Sequence, residues 1–180
     1  QPFFHCLTVP ASHESCLHFP ETDVDSVATW HSPSDVRLYR YHPDTELFRY
    51  TYARHYDSIK RVDAVLGELL DALEKDALLD DTFVFYMGDN GGCVPFSKGY
   101  TCESGVKVPL VVYVPDNWKF LMPYTAGDEV YGFISFMDLA PTVLNLAGIN
   151  PPAHLHGRPV AGRGVSREEV ESRDVVYCYG

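Results

Sequence analysis

Between Asp80 and Pro109 the chain runs DDTFVFYMGDNGGCVPFSKGYTCESGVKVP: an apolar run, an Asp-Asn-Gly-Gly turn, a lysine, then a Glu-Ser-Gly turn before a second apolar run. Asp89 and Asn90 offer oxygen donors of the kind that suit a hard cation such as calcium. Lys98 follows along a Gly/Pro-containing loop, where its ammonium can swing back toward an anion held by such a metal. On this window alone a second reading stands beside the first. Asn90-Gly91 is also the commonest two-residue hairpin signal, with Asp89 as the turn's own acceptor.

The elements that must position these groups follow from the pattern around them. Phe83 to Met87 is uncharged and rich in aromatic residues, the composition of a strand buried on both faces in a parallel sheet. In such sheets functional groups collect just beyond the strand's carboxyl end, where Asp89 and Asn90 stand. Leu110 to Val114 repeats the all-apolar pattern, and Phe3 to Val9 gives a further strand that leads into the polar run Ala11-Ser12-His13-Glu14-Ser15. Residues 19–44, with Pro20, Pro33, Pro43 and scattered aspartates, form a long surface loop of the kind that is usually functional.

A helix capped by Asp44 or Thr45 comes next. Tyr52, Tyr56, Ile59, Val62, Leu66, Leu69, Leu70 and Leu73 recur mostly at three- and four-residue steps, a stripe to be buried against a sheet. Gly67 in its middle costs about 1 kcal/mol and marks a candidate close contact. A second helix spans about Ser135 to Leu146, begins or bends near Pro141 and stops at Gly148. Residues 149–165 form a loop and Asp174 to Tyr179 a last strand. Strands alternating with helices make this an α/β chain.

Composition bounds the function. The 180 residues are enough for one domain with a core, and 46% hydrophobic content supports a globular chain over a disordered one. A formal charge of −11 argues against nucleic acid or an anionic membrane surface as partner, and no apolar stretch is long enough for a membrane span. Cys6, Cys16, Cys93, Cys102 and Cys178 are odd in number with no Cys-x-x-Cys pair, so they define neither a zinc ribbon nor a disulfide framework. Gln1 with neither initiator methionine nor leader fits a piece of a longer chain.

Taken together, the motifs resemble the sulfatase family of the alkaline-phosphatase superfamily. The resemblance rests on five segments in order. They are Pro2-Phe3-Phe4 leading to His13; the helix with Tyr56, Asp63, Gly67 and Leu70; Gly88-Asp89-Asn90-Gly91; Lys98-Gly99-Tyr100-Thr101-Cys102-Glu103-Ser104-Gly105; and Met137-Asp138-Leu139-Ala140-Pro141-Thr142-Val143-Leu144 with Gly148, followed by Gly157-Arg158. It implies a three-layer α/β sandwich with a largely parallel central sheet, incomplete here at both ends. Residues 1–165 would belong to the catalytic domain and 166–180 would open a smaller carboxyl-terminal subdomain.

The resemblance also implies roles. Asp89 and Asn90 would supply two oxygen ligands to a divalent cation, most often Ca2+. Lys98 would bind a sulfate oxygen, and His13 would hydrogen-bond the bridging or transferred oxygen and act as the acid for the leaving group. The implied activity is hydrolysis of sulfate esters or sulfamates, on a sulfated small molecule or polysaccharide, in a periplasmic, extracellular or lysosomal setting. Pro95-Phe96-x-Lys98 leans toward the sulfamidase-like and polysaccharide-sulfatase branches.

Two further segments are set aside. His154-Leu155-His156 has metal-pair spacing but lies in a Pro/Gly-rich loop, as exposed residues rather than zinc ligands. Cys93-Val94-Pro95-Phe96-Ser97 is similar to the family's Cys-x-Pro-x-Arg, whose cysteine becomes the formylglycine nucleophile. Ser97 replaces the arginine and the position in the chain is wrong, so Cys93 is not assigned as nucleophile. The formylglycine segment, the paired aspartates and a further lysine and histidine are expected on an amino-terminal part absent from this sequence, leaving this segment with little or no hydrolysis alone. Two alternatives remain: a phosphate or phosphonate ester hydrolase of the same superfamily, or a non-catalytic fragment.

Overall fold

The computed structural model describes residues 2–176, arranged as two compact units. One comprises residues 2–75 with Gly88–Val108, and the other Asp76–Met87 with residues 109–176.

The first unit is built on a 30-residue helix. After the one-turn helix α1 (Asp23–Ser26), helix α2 runs Glu46–Lys75, and a second one-turn helix, α3 (Glu103–Val106), lies in the same unit. Thr45 Oγ1 accepts the Phe48 backbone N–H at 3.3 Å, the cap expected from sequence. Arg49 closes the same end by a two-pronged pair with Asp44, at 2.5 and 2.8 Å. Tyr52 and Ala53 join Val36 and Val94 in a small core, with Leu38, Phe48 and Tyr56 packed around it.

The loop before α2 is tied down rather than free. Phe19 meets Tyr50 edge-on at 5.2 Å, and the buried Asp57 carboxylate accepts the Trp30 and His31 N–H groups at 2.8 and 3.0 Å. Beyond Ser58 no residue of α2 is fully buried, and Ile59 is exposed. The apolar stripe is therefore covered only over its first half, where α2 packs on α1 and on the short 3₁₀ turns Pro10–Ser12 and Glu14–Leu17. At Gly67 an added Cβ would meet nothing within 4 Å, so the expected close contact is not made.

The expected strand Phe3–Val9 is irregular, with Phe3, Phe4 and Leu7 exposed. A strand needs a neighbour for its N–H and C=O groups, and no described segment pairs with it. The backbone becomes regular only at Pro10.

In the second unit β1 (Val84–Met87) pairs with β2 (Leu110–Tyr113), Val84 opposite Tyr113 and Met87 opposite Leu110. The pair is antiparallel and β1 is half-buried, which corrects the expectation of a doubly buried parallel strand. Aromatic and β-branched runs favour extended backbone in either orientation, and only the partner decides which. The described residues hold this two-stranded sheet alone, so the largely parallel sandwich is not seen among them.

The Asp-Leu-Ala-Pro-Thr segment forms a 3₁₀ turn, Phe136–Asp138, continued by α4 (Leu139–Leu146), with Pro141 in the first turn and Gly148 in the left-handed region at φ 75°. The polar side chains of this segment serve its own fold. Buried Asp138 accepts the N–H groups of Ser135 and Arg158 at 2.9 and 2.7 Å. Thr142 Oγ1 donates to the Asp138 carbonyl and accepts from Val160 N–H, stapling the loop that follows. The last helix, α5 (Arg167–Glu171), carries Glu169, whose carboxylate pairs with buried Arg173. Of the expected strand Asp174–Tyr179, residues 174–176 are not in a strand and the remainder lies outside the described residues.

Candidate functional site

All four residues singled out from the sequence lie in the first unit, on two segments. His13 caps the turn Glu14–Leu17: its Nδ1 accepts the Ser15 backbone N–H at 3.3 Å. That bond places the proton of the neutral ring on Nε2, which faces Glu14 Oε1 at 3.4 Å. His13 is half exposed.

The second segment is the loop from Gly88 to Gly105, folded tightly on itself. Gly91 N–H donates to the Gly105 carbonyl at 2.9 Å, and Lys98 N–H to the Gly92 carbonyl at 3.0 Å. Buried Ser97, in the place where the Cys-x-Pro-x-Arg comparison wants an arginine, donates Oγ to the Ser104 carbonyl at 2.6 Å. The backbones approach so closely that a Cβ on Gly91 would lie 2.1 Å from the Ser104 oxygen, and one on Gly105 2.0 Å from the Tyr100 oxygen. Glycine is required at both positions by contact with backbone.

Buried His42 fixes the loop from outside. The Pro95 carbonyl can only accept, so Nε2 donates to it at 2.9 Å and Nδ1 accepts from the Tyr52 hydroxyl at 2.8 Å. Burial pushes the Tyr52 phenol up to about 12, keeping it a donor.

These supports bring Lys98 to His13 through Glu14, which the sequence motifs alone do not mark as a site residue. The Lys98 ammonium donates to Glu14 Oε2, while Glu14 Oε1 faces the His13 imidazole. The Glu14 bond, reinforced by the charge of Asp89, holds Lys98 above the usual lysine range. The same bond holds the Glu14 carboxyl below the usual carboxylate range. A carboxylate adjacent in sequence to the candidate histidine was the available signal.

Asp89 is exposed and Asn90 half-buried, and neither side chain has a hydrogen-bond partner among the described residues. Their oxygens are thus uncommitted hard donors, which fits a divalent cation. No group of three or more His, Cys, Asp or Glu among the described residues is arranged to hold a metal, so this pair is at most a partial ligand set.

The surroundings of Cys93 disfavour a thiolate. Its Sγ lies 3.2 Å from His55 Nδ1, but burial, with Cys16 alongside, pushes the thiol up to about 12, and burial pushes the imidazole down. Both groups are neutral at pH 7, so no thiolate forms. His154 and His156 are exposed on their loop.

Comparison with known proteins gives one family and a set of relatives. The family model described as Sulfatase matches residues 1–149. An ulvan-active sulfatase of Formosa agariphila is 32% identical over 71% of this chain and 20% of its own length. The human N-sulphoglucosamine sulphohydrolase is 29% identical over 74% of this chain and 26% of its own length. The human N-acetylgalactosamine-6-sulfatase is 32% identical over 56% of this chain and 20% of its own length. The chain therefore spans about a fifth to a quarter of these relatives.

Proposed function

This chain belongs to the sulfatase family, and we propose that it supplies the carboxyl-terminal part of the catalytic domain of a hydrolase acting on sulfate esters or sulfamates. The observation that carries the reading is the His13–Glu14–Lys98 contact: a histidine Nε2 and a lysine ammonium, distant in sequence, meet at one carboxylate. An anion entering there finds two donors already side by side.

In this reading Lys98 binds a sulfate oxygen and stabilises the charge that grows as the bond to the leaving group breaks. His13 Nε2–H donates to the departing oxygen or nitrogen, with Ser15 N–H fixing the ring's tautomer from behind. Glu14 keeps Lys98 extended until the substrate's own anion replaces it. Asp89 and Asn90 would hold a divalent cation, by preference Ca2+, which when bound offsets the negative charge of the sulfate group. The formylglycine nucleophile and the remaining ligands belong to the part of the protein outside this sequence.

The substrate class we propose is a sulfated saccharide. Two of the relatives are named for amino sugars and one for ulvan, which supports the sulfamidase-like and polysaccharide-sulfatase branches. We also assign residues 1–165 to a catalytic domain with a largely parallel three-layer sandwich, and 166–180 to the start of a smaller subdomain. The match over residues 1–149 supports the first of these.

The test is made in the full-length protein. Lys98→Ala and His13→Ala are each expected to lower kcat/KM on a chromogenic aryl sulfate by about 10²- to 10³-fold, as for loss of one charge-stabilising donor. Asp89→Ala is expected to weaken calcium binding measured by titration calorimetry. Unchanged kcat/KM in both variants, with unchanged calcium affinity in the third, overturns the assignment.

A further inference from the structure

Two loops of the first unit carry four exposed aromatic side chains in one continuous run. Tyr39 and Tyr41 stack with centroids 5.3 Å apart and planes 15° apart. Tyr41 meets Phe96 edge-on at 6.0 Å, and Phe96 meets Tyr100 at 5.5 Å. Each of the four remains between 41% and 56% exposed, so the rings pack on one another while their outer faces stay open.

The run is held in place. Phe96 has φ 59°, a left-handed backbone that a bulky residue adopts only when its surroundings impose it. Its carbonyl accepts from Ser104 Oγ at 2.7 Å and Cys102 Sγ at 3.2 Å, and His42 holds the preceding carbonyl, that of Pro95. The Tyr41 hydroxyl reaches Ser104 Oγ at 3.4 Å, joining the two loops.

Charge beside the run has the opposite sign to the molecule. The chain carries 14 basic against 25 acidic residues, yet exposed Arg37 and Arg40 form no side-chain ion pair or hydrogen bond among the described residues. Arg40 stands between the two stacked tyrosines in sequence, and Phe96 and Tyr100 flank Lys98 two residues on either side.

We propose that Tyr39, Tyr41, Phe96 and Tyr100, with Arg37 and Arg40, form a subsite that stacks a pyranose ring of a sulfated oligosaccharide next to the residue being desulfated. The C–H face of a sugar suits an open aromatic ring, its hydroxyls suit the tyrosine rims, and its anionic substituents suit unpaired guanidinium groups. An apolar protein partner would match the rings but leave both arginines uncompensated. The subsite rests on the reading of Lys98 as the sulfate-binding residue, because that reading puts the reacting group on the same loop.

The experiment compares two substrates on the full-length protein: a sulfated oligosaccharide and a chromogenic aryl sulfate that is too small to reach the platform. Tyr41→Ala is expected to raise KM for the oligosaccharide by about tenfold with kcat nearly unchanged, and to leave the aryl sulfate KM unchanged. Tyr41→Phe is expected to restore most of the loss, and Arg40→Gln to weaken oligosaccharide binding with a reduced salt dependence. An equal effect on both substrates, or a lowered melting temperature with no selective change in KM, shows a packing surface covered by the rest of the chain and overturns the proposal. If the unsubstituted protein hydrolyses neither substrate, the sulfatase reading fails by itself. Calorimetric binding of the oligosaccharide to the unsubstituted and Tyr41→Ala proteins then decides: loss of binding in the variant supports the subsite, equal affinity overturns it.

Discussion

At the scale of single residues, two carboxylates organise the first unit, and they do so differently. Glu14 is partly exposed and, on the proposed reading of Lys98, open to exchange for a substrate anion, whereas Asp57 is buried and committed. Glu14→Gln removes the charge that competes for Lys98, so inorganic sulfate is expected to bind several-fold more tightly at low ionic strength, the gain shrinking as salt is added. Sulfate inhibition constants at two salt concentrations check this, and unchanged or weaker binding counts against the exchange. At Asp57, burial alone would raise the carboxyl, but the His31 imidazole at 2.7 Å and the Trp30 and His31 N–H groups outweigh it and lower it. A folded value below the unfolded one means that this stabilisation is present above the ordinary carboxylate range and is lost as pH falls through the lowered value. Asp57→Ala is expected to cost about 2–4 kcal/mol at neutral pH and to flatten the acid limb of the stability curve. Urea melts from pH 7 down to pH 2 measure both. Neither carboxylate's role was legible in the sequence, because each depends on a partner far away along the chain: Lys98 for one, the residue 30–31 backbone for the other.

At the scale of elements, the legible parts were those fixed by local chemistry. Helix α2, its Thr45 cap, the α4 turn with Pro141 and the stop at Gly148 all depend on residues within a turn or two of one another. The orientation of β1 and the fate of Phe3–Val9 depend on which strand lies alongside, and aromatic runs carry no such information. The Asp-Asn-Gly-Gly turn falls between these cases: its residue types were readable, but its lock onto Gly105 was not. Gly105→Ala must push a Cβ into the Tyr100 and Ser97 carbonyls, at 2.0 and 2.4 Å, and is expected to cost about 2–4 kcal/mol and to loosen Lys98. Gly67→Ala is the opposite case. Its Cβ enters open space in mid-helix, and a gain of about 0.5–1 kcal/mol is expected from lost unfolded-state freedom. Thermal melts of the two variants should move in opposite directions; a shared sign would mean that backbone crowding is not what distinguishes these glycines.

At the scale of the whole molecule, the apolar surface left open is the governing fact. Helix α2 carries an apolar stripe from Ile59 to Leu73 with no fully buried residue, Phe3 and Phe4 are 56% and 77% exposed, and Val111 on β2 is 60% exposed. This chain spans only 20–26% of the length of the relatives compared. Large contiguous apolar patches on a soluble chain drive association or bind amphiphilic dyes. The formal charge of −11 opposes association by repulsion at low salt, and that repulsion is screened over about 10 Å at 0.1 M. The 180-residue chain studied alone is therefore expected to bind a hydrophobic fluorophore strongly and to shift from monomer toward larger species as salt rises, while giving no aryl sulfate turnover in excess calcium. Light scattering and dye fluorescence between about 20 and 500 mM salt, about a fivefold range in screening length, make the measurement. A monodisperse monomer with no dye signal would mean that these faces are not the seat of further contacts, and measurable turnover would mean that half a site suffices.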